Sequence, residues 1–154
     1  MPSRSRHDRE RGLIRLTVLG ILEHRDVVLR AVSAACKLVS ADPRGPQWNE
    51  FQQQVVSAVS EAFNNLVLHG YEGRSDGRVE LAIRPGAAGI EIEVRDWGKS
   101  FDPKAVPVPD METLPESGMG IFIMRSFMDL AYRKGRPNLL TLSKKLEPVE
   151  PATG

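Results

Sequence analysis

Arg78-Val-Glu-Leu-Ala-Ile-Arg-Pro-Gly-Ala-Ala-Gly-Ile-Glu-Ile-Glu-Val-Arg-Asp96 alternates apolar and polar residues twice, on either side of a Pro-Gly-rich break. Val79, Leu81 and Ile83 fall on one side of the first run, and Ile90, Ile92 and Val94 on one side of the second. Side chains of a strand alternate between faces, so the segment reads as a β-hairpin with one buried face, turning at Pro85 to Gly89. The same alternation puts Asp96 on the face of Ile90, Ile92 and Val94, which is the core face. A carboxylate there must find a donor or stay protonated, because a bare buried charge costs several kcal/mol, roughly the penalty of breaking a buried ion pair. A ligand amino group could be that donor. Equally, Asp96 could cap its own turn through backbone N–H groups, since Trp97-Gly98 begins one.

Working back from the hairpin, the period changes from 2 to 3.6. A helix is expected from about Trp48 to Leu68, with Val55, Val59, Ala62, Phe63 and Leu66 as its apolar stripe, and with Gly70 and Gly73 past its end where chain reversal is easy. An earlier helix is expected from Glu23 to Ser40, its apolar face formed by Val27, Val28, Ala31, Ala34, Ala35 and Leu38, and ended by the segment Ala41 to Pro46. Before it, Leu13 to Leu19 reads as an edge strand. Residues 1–12 mix Arg4, Arg6, Arg9 and Arg11 with Asp8 and Glu10 without apolar periodicity, which predicts a disordered arm.

Beyond the hairpin, Gly98 to Ser117 holds Pro103, Pro107, Pro109 and Pro115 and predicts a long loop. A third helix is expected from about Met119 to Leu130, a last strand from Leu139 to Leu146, and a flexible tail over 147–154. The expected fold is α+β: a two-layer sandwich in residues 13–146, with a mostly antiparallel sheet and its helices on one face. The chain has 154 residues, 41% hydrophobic and 27% charged, with net charge +1, so neither a disordered chain nor a strongly polyanionic partner is indicated. Cys36, the single cysteine, excludes an internal disulfide and is expected in the core. With no signal-peptide pattern and no apolar run of about 18 residues, the expected location is the cytoplasm, without membrane or direct nucleic-acid binding.

Three short segments carry polar groups that chemistry could use. Glu61, Asn65 and His69 are spaced by four on the second helix, which puts them in one row; an ordinary solvated helix face would look the same. Asp96 with Gly98 is the second segment. The third is Ser117-Gly118-Met119-Gly120, directly before the third helix, where unobstructed first-turn amides suit phosphate, although Ser117 as a plain N-cap also explains it.

Together, Ser60 to Tyr71 (Ser-Glu-Ala-Phe-Asn-Asn-Leu-Val-Leu-His-Gly-Tyr), Arg95 to Pro103 (Arg-Asp-Trp-Gly-Lys-Ser-Phe-Asp-Pro) and Ser117 to Asp129 resemble the bacterial anti-sigma factors of the serine-protein-kinase type. These belong to the wider histidine-kinase-like ATPase fold of gyrase, Hsp90, histidine kinases and the mismatch-repair protein MutL. The resemblance implies ATP and Mg²⁺ as cofactors. It implies Glu61 as the catalytic carboxylate that orients or deprotonates the attacking hydroxyl, and Asn65 as the Mg²⁺ ligand. Asp96 would accept from the adenine amino group, Gly98 would let the backbone pass close to the base, and Gly118, Met119 and Gly120 would bring helix amides to the phosphates under a Pro-rich lid. His69 would be a structural cap.

The implied function is partner switching: sequestering a sigma factor, and transferring the γ-phosphoryl of ATP to a serine of a small α/β antagonist. A homodimer is implied as well, with the first helix around Arg30 as the expected surface for homodimer or sigma-factor contacts. The chain departs from relatives at three places. Glu116 stands where some carry a basic residue, and there is no Lys or Arg between Ala105 and Met124. Ser100 occupies the second glycine position of the Asp-x-Gly-x-Gly motif. Pro137-Asn138 replaces a frequent Gly-Thr, so Asn138 is expected to substitute as a polar contact to the nucleotide. The alternative function is an ATP-responsive binding protein of the same pathway with little or no kinase activity.

Overall fold

A computed structural model describes residues 12–39, 45–100 and 119–147. The expected arm, the tail beyond Glu147, the Pro-rich loop, Glu116, Ser117 and Gly118 lie outside them. In chain order the elements are β1 (Ile14–Leu19), a short 3₁₀ turn (Leu22–His24), α1 (Arg25–Cys36), α2 (Pro46–Asn65), a π-helical turn (Leu66–Gly70), β2 (Arg78–Gly86), β3 (Gly89–Asp96), α3 (Met119–Phe127), β4 (Asp129–Arg133) and β5 (Asn138–Lys145). The five strands form one sheet in the order β1-β2-β3-β5-β4, with every adjacent pair antiparallel. The α+β sandwich expected from the sequence is therefore the observed fold, and β1 is an edge strand as expected.

One strand is new. Asp129–Arg133 pairs with β5 as the other edge of the sheet, whereas the periodicity had carried the third helix to Leu130. Met124 and Met128 continue the apolar spacing of α3 and hide where the helix stops. The five residues of β4 are too short to announce a strand without their partner.

The core lies between the helices and one sheet face. Val28, Val32 and Cys36 of α1 and Val55, Val59 and Phe63 of α2 meet Ile83, Ile92 and Leu142 of the sheet. The hairpin alternation is realised, with Ile83 facing Ile92 and Ile92 facing Leu142 in register. The phase of α1 differs from expectation. Val27 and Leu38 are 49% and 64% exposed, and Val28, Val32, Ala35, Cys36 and Val39 supply the buried face instead. Cys36 is in the core, as expected, and its burial pushes the thiol up to about 12. Pro46 starts α2 at a position where a missing N–H is harmless, and the Trp48 indole donates to the Cys36 carbonyl at 3.1 Å, tying α2 to the end of α1. The opposite sheet face carries charge: Glu93 meets Arg84 and Arg95, each at 2.6 Å, the Arg95 contact being ionic without an aligned hydrogen bond to Oε2.

Past Asn65 the helical winding loosens. Tyr71 N–H donates to the Leu66 carbonyl at 2.9 Å, a five-residue step that widens the last turn. Reversal then falls on Glu72 and Gly73, with φ of 47° and 84°; of the two glycines expected to make it, only Gly73 adopts the left-handed conformation.

Candidate functional site

Between α2, α3 and the inner face of β3, β4 and β5 lies a small open pocket with a free interior of about 40 Å³. Ala62, Leu66, Val94, Met124 and Leu140 make its walls apolar. Asn65, Asp96 and Lys99 supply its charged and amide groups, with Gly70 and Tyr132 completing the lining. Asn65 and Asp96 are 31 residues apart in the chain, by subtraction of their numbers, and the pocket brings them together.

Asp96 ends β3 on the core face, as the alternation required. Its Oδ1 accepts from Gly98 N–H at 3.0 Å and from Asn138 Nδ2 at 3.1 Å, while Oδ2 accepts nothing from the described residues. Burial raises the Asp96 pKa above the ordinary carboxylate value, and the bonds from Asn138 and Gly98 partly offset the rise. The turn-capping reading of Asp96 is realised through Oδ1, and Oδ2 is left without a partner among the described residues.

The turn after Asp96 is clamped. A Cβ on Gly98 would lie 2.5 Å from the Gly70 carbonyl oxygen and 2.8 Å from its carbon, so only glycine fits. The close approach expected of Gly98 is therefore made to the end of α2, and Lys99 N–H seals it by donating to the Gly70 carbonyl at 2.8 Å. Tyr71 grips the same turn: its hydroxyl donates to the Arg78 carbonyl and accepts from Trp97 N–H at 3.0 Å. Burial pushes the phenol up, which keeps it protonated and able to donate. Gly20 and Gly77 lie against its ring, with no room for a Cβ.

Asn138 differs from its expected role. It is 0% exposed, and every hydrogen-bonding position of its amide is used inside the protein, so it stands behind Asp96 rather than in contact with a ligand.

At the other end, Asn65 Nδ2 is buried without a partner among the described residues. An orphaned amide is costly, about 1–3 kcal/mol, and stands open to a partner. Glu61 lies one helical turn earlier on α2 and does not line the pocket, but α3 comes down on it: a Cβ on Gly120 would strike the Glu61 carboxylate. The polar row is thus covered by α3 at Glu61, where α3 packs along α2. Met119 is the first residue of α3, and Gly118 falls outside the described residues. His69 is exposed on the π-helical turn, whose Leu66 and Val67 are buried.

These residues fit a nucleotide with magnesium. A free carboxylate oxygen, apolar walls, an orphaned amide and a glycine at the second position of α3 are donor and acceptor types suited to base, ring and phosphate. No cluster of three His, Cys, Asp or Glu side chains is present among the described residues, so magnesium there would rest on Asn65, water and phosphate oxygens. Sequence reasoning missed Tyr71 as the clamp, Lys99 and Tyr132 as lining, and the bond from Ser100 to Asn138. Tyr132 was hidden with β4, and the others act through contacts between distant segments.

Comparison with known proteins agrees with the geometry. The family described as histidine kinase-like ATPase domain matches residues 22–144. The anti-sigma F factor of Clostridium beijerinckii is 31% identical over 128 residues, covering 77% of this chain and 85% of that protein. The anti-sigma F factor of Priestia megaterium is 35% identical over 106 residues, covering 64% of this chain and 67% of that protein. The anti-sigma F factor of Clostridium botulinum is 34% identical over 105 residues, covering 64% and 68% respectively.

Proposed function

This chain belongs to the histidine kinase-like ATPase domain family, among the anti-sigma factors, and from that premise we propose that it binds ATP·Mg²⁺, sequesters a sigma factor and phosphorylates a serine on a small antagonist protein. The observation that carries the reading is a single pocket with an unused acceptor, Asp96 Oδ2, and an orphaned amide, Asn65.

Asp96 Oδ2 would accept from the adenine amino group while Val94, Met124 and Leu140 enclose the ring. A half-turn of the Asn65 amide exchanges its nitrogen for its oxygen, which is the atom that would face magnesium. When bound, magnesium supplies the positive charge that the phosphates require. Glu61 would accept the proton of the serine hydroxyl as its oxygen bonds to the γ-phosphorus and the bond to the β–γ bridging oxygen breaks, leaving ADP. Lys99, which lines the pocket and is only loosely paired with Glu72 at 3.6 Å, is a cation close enough to help at the mouth.

The names of the relatives support a sigma factor as partner. The antagonist and the homodimer are part of the proposal: α1 presents the exposed Val27, Leu38 is exposed just past its end, and Arg30 makes a surface pair with Asp26 at 2.7 Å. No helix among the described residues is long and apolar enough to cross a membrane, in keeping with the cytoplasmic location proposed here.

The test is transfer from γ-labelled ATP, with Mg²⁺, to antagonist proteins encoded next to this gene. Phosphoserine should form, and Glu61→Ala should slow transfer by about 100-fold or more while ATP affinity changes by less than about threefold. No transfer to any of them refutes the kinase. A binding protein without useful catalysis is the second reading, favoured by the absence of Lys and Arg between Ala105 and Met124. It predicts an ATP-responsive sigma-factor complex that Glu61→Ala leaves intact.

A further inference from the structure

Asn138 opens β5 directly opposite Asp96 at the end of β3, and its amide joins the segment from Asp96 to Ser100 to the turn at Gly135. Nδ2 donates to Asp96 Oδ1 at 3.1 Å and to the Gly98 carbonyl at 3.0 Å. Oδ1 accepts from Gly135 N–H at 3.1 Å and from the Ser100 hydroxyl at 2.7 Å. The two backbone partners fix which way the amide points: turning it over would set N–H against the Gly135 N–H and oxygen against both the Gly98 carbonyl and the Asp96 carboxylate. The side chain is fully buried, so no water can repair a lost bond. Ser100 and Asn138 are two of the positions at which this sequence departs from its look-alikes, and they touch each other.

From this we infer that Ser100 and Asn138 act as one coupled positioning pair, which holds Asp96 with Oδ1 tied back and Oδ2 presented to the base, and so sets selectivity for a purine bearing a 6-amino group. The inference rests on the nucleotide-binding reading. It assigns Asn138 no contact with the ligand: its whole effect passes through Asp96. Ser100 in turn acts only through Asn138, by supplying one of the two donors that keep the amide oxygen facing away from the carboxylate. The value of Ser100 is therefore lost when Asn138 is removed, whereas Asn138, held also by Gly135 N–H and the Gly98 carbonyl, keeps most of its own without Ser100.

The experiment compares the unaltered chain with Ser100→Ala, Asn138→Thr and the double variant, measuring dissociation constants for ATP and for ITP, whose 6-oxo group cannot donate to Asp96. A threonine hydroxyl has one hydrogen where the amide has two, so Asn138→Thr should weaken ATP binding about tenfold, the equivalent of one buried hydrogen bond, while ITP affinity barely moves. General loosening of the pocket would weaken both nucleotides alike and leave their ratio unchanged. Ser100→Ala should weaken ATP about threefold in the native background and not at all beside Asn138→Thr. An unchanged ATP to ITP ratio, or additive effects of the two substitutions, overturns the pair. If Asn138→Thr does not fold, Ser100→Ala alone still decides, because an ATP to ITP ratio equal to that of the unaltered chain refutes the inference. Failure of the unaltered chain to bind ATP overturns the nucleotide reading and this inference with it.

Discussion

At the Asp96 end of the pocket, the turn Asp96-Trp97-Gly98 is bonded from three sides, by Tyr71, by the Gly70 carbonyl through Lys99, and by Asn138. At the Glu61 end, Asn65 Nδ2 is buried without a partner among the described residues, and Gly120 leaves bare backbone against the Glu61 carboxylate. One end is braced by bonds within the protein, and the other is open; on the proposed reading, it is completed by what it binds. Preorganised groups spend no reorganisation energy on recognition, so the Asp96 end should govern affinity and base choice. The unfinished end should govern metal dependence and transfer.

The largest effect that could break this contrast comes from Asp96→Asn. It retains an oxygen for Gly98 and Asn138 but turns the free acceptor into a donor facing the base amino group. ATP affinity measured by calorimetry should fall about 100-fold, the scale of a hydrogen bond to a charged group lost to a donor clash. The apo protein should at the same time become more stable. Burial raises the folded pKa of Asp96 above its unfolded value, so its favourable contribution is full below the unfolded pKa and is lost as pH rises through the folded pKa. At pH of about 7 to 8 the charged form is a burden that the amide removes, and the advantage should close as pH is lowered toward about 4. A melting temperature for Asp96→Asn at or below that of the unaltered chain at neutral pH would contradict a left-over, unpaired oxygen on Asp96.

The next effect belongs to the other end. Asn65→Ala should remove about tenfold of the affinity that Mg²⁺ adds for ATP, and leave binding measured in EDTA within about twofold. Equal losses with and without the metal would place Asn65 in the base end after all. The smallest is Gly120→Ala, whose methyl meets the flexible end of Glu61 and should be accommodated by displacing it. Transfer should slow by roughly three- to fivefold with ATP affinity unchanged, and an affinity change larger than the rate change would erase the distinction between the two ends.

Much of this architecture was legible in one dimension. The hairpin, its buried face and the position of Asp96 came from strict alternation, and the row of Glu61 and Asn65 from helical spacing. The phase of α1 was not legible, because adjacent Val27 and Val28 offer two apolar stripes and only packing selects Val28. Nor was β4, whose five residues acquire strand character from β5 beside them. Asn138 was legible as a polar residue near the site, but its saturation inside the protein was not.

By itself, then, the sequence determined the periods of the chain, the turn at Asp96 and the types of group available, because these depend on neighbours a few residues away. Only the tertiary structure decided what those groups face. The antiparallel register of β3 and β5 sets Asp96 opposite Asn138, 42 residues on, and the packing of α3 on α2 sets Gly120 against Glu61. Whether a carboxylate oxygen is tied back or left free is a property of such long-range pairs. No local pattern encodes it.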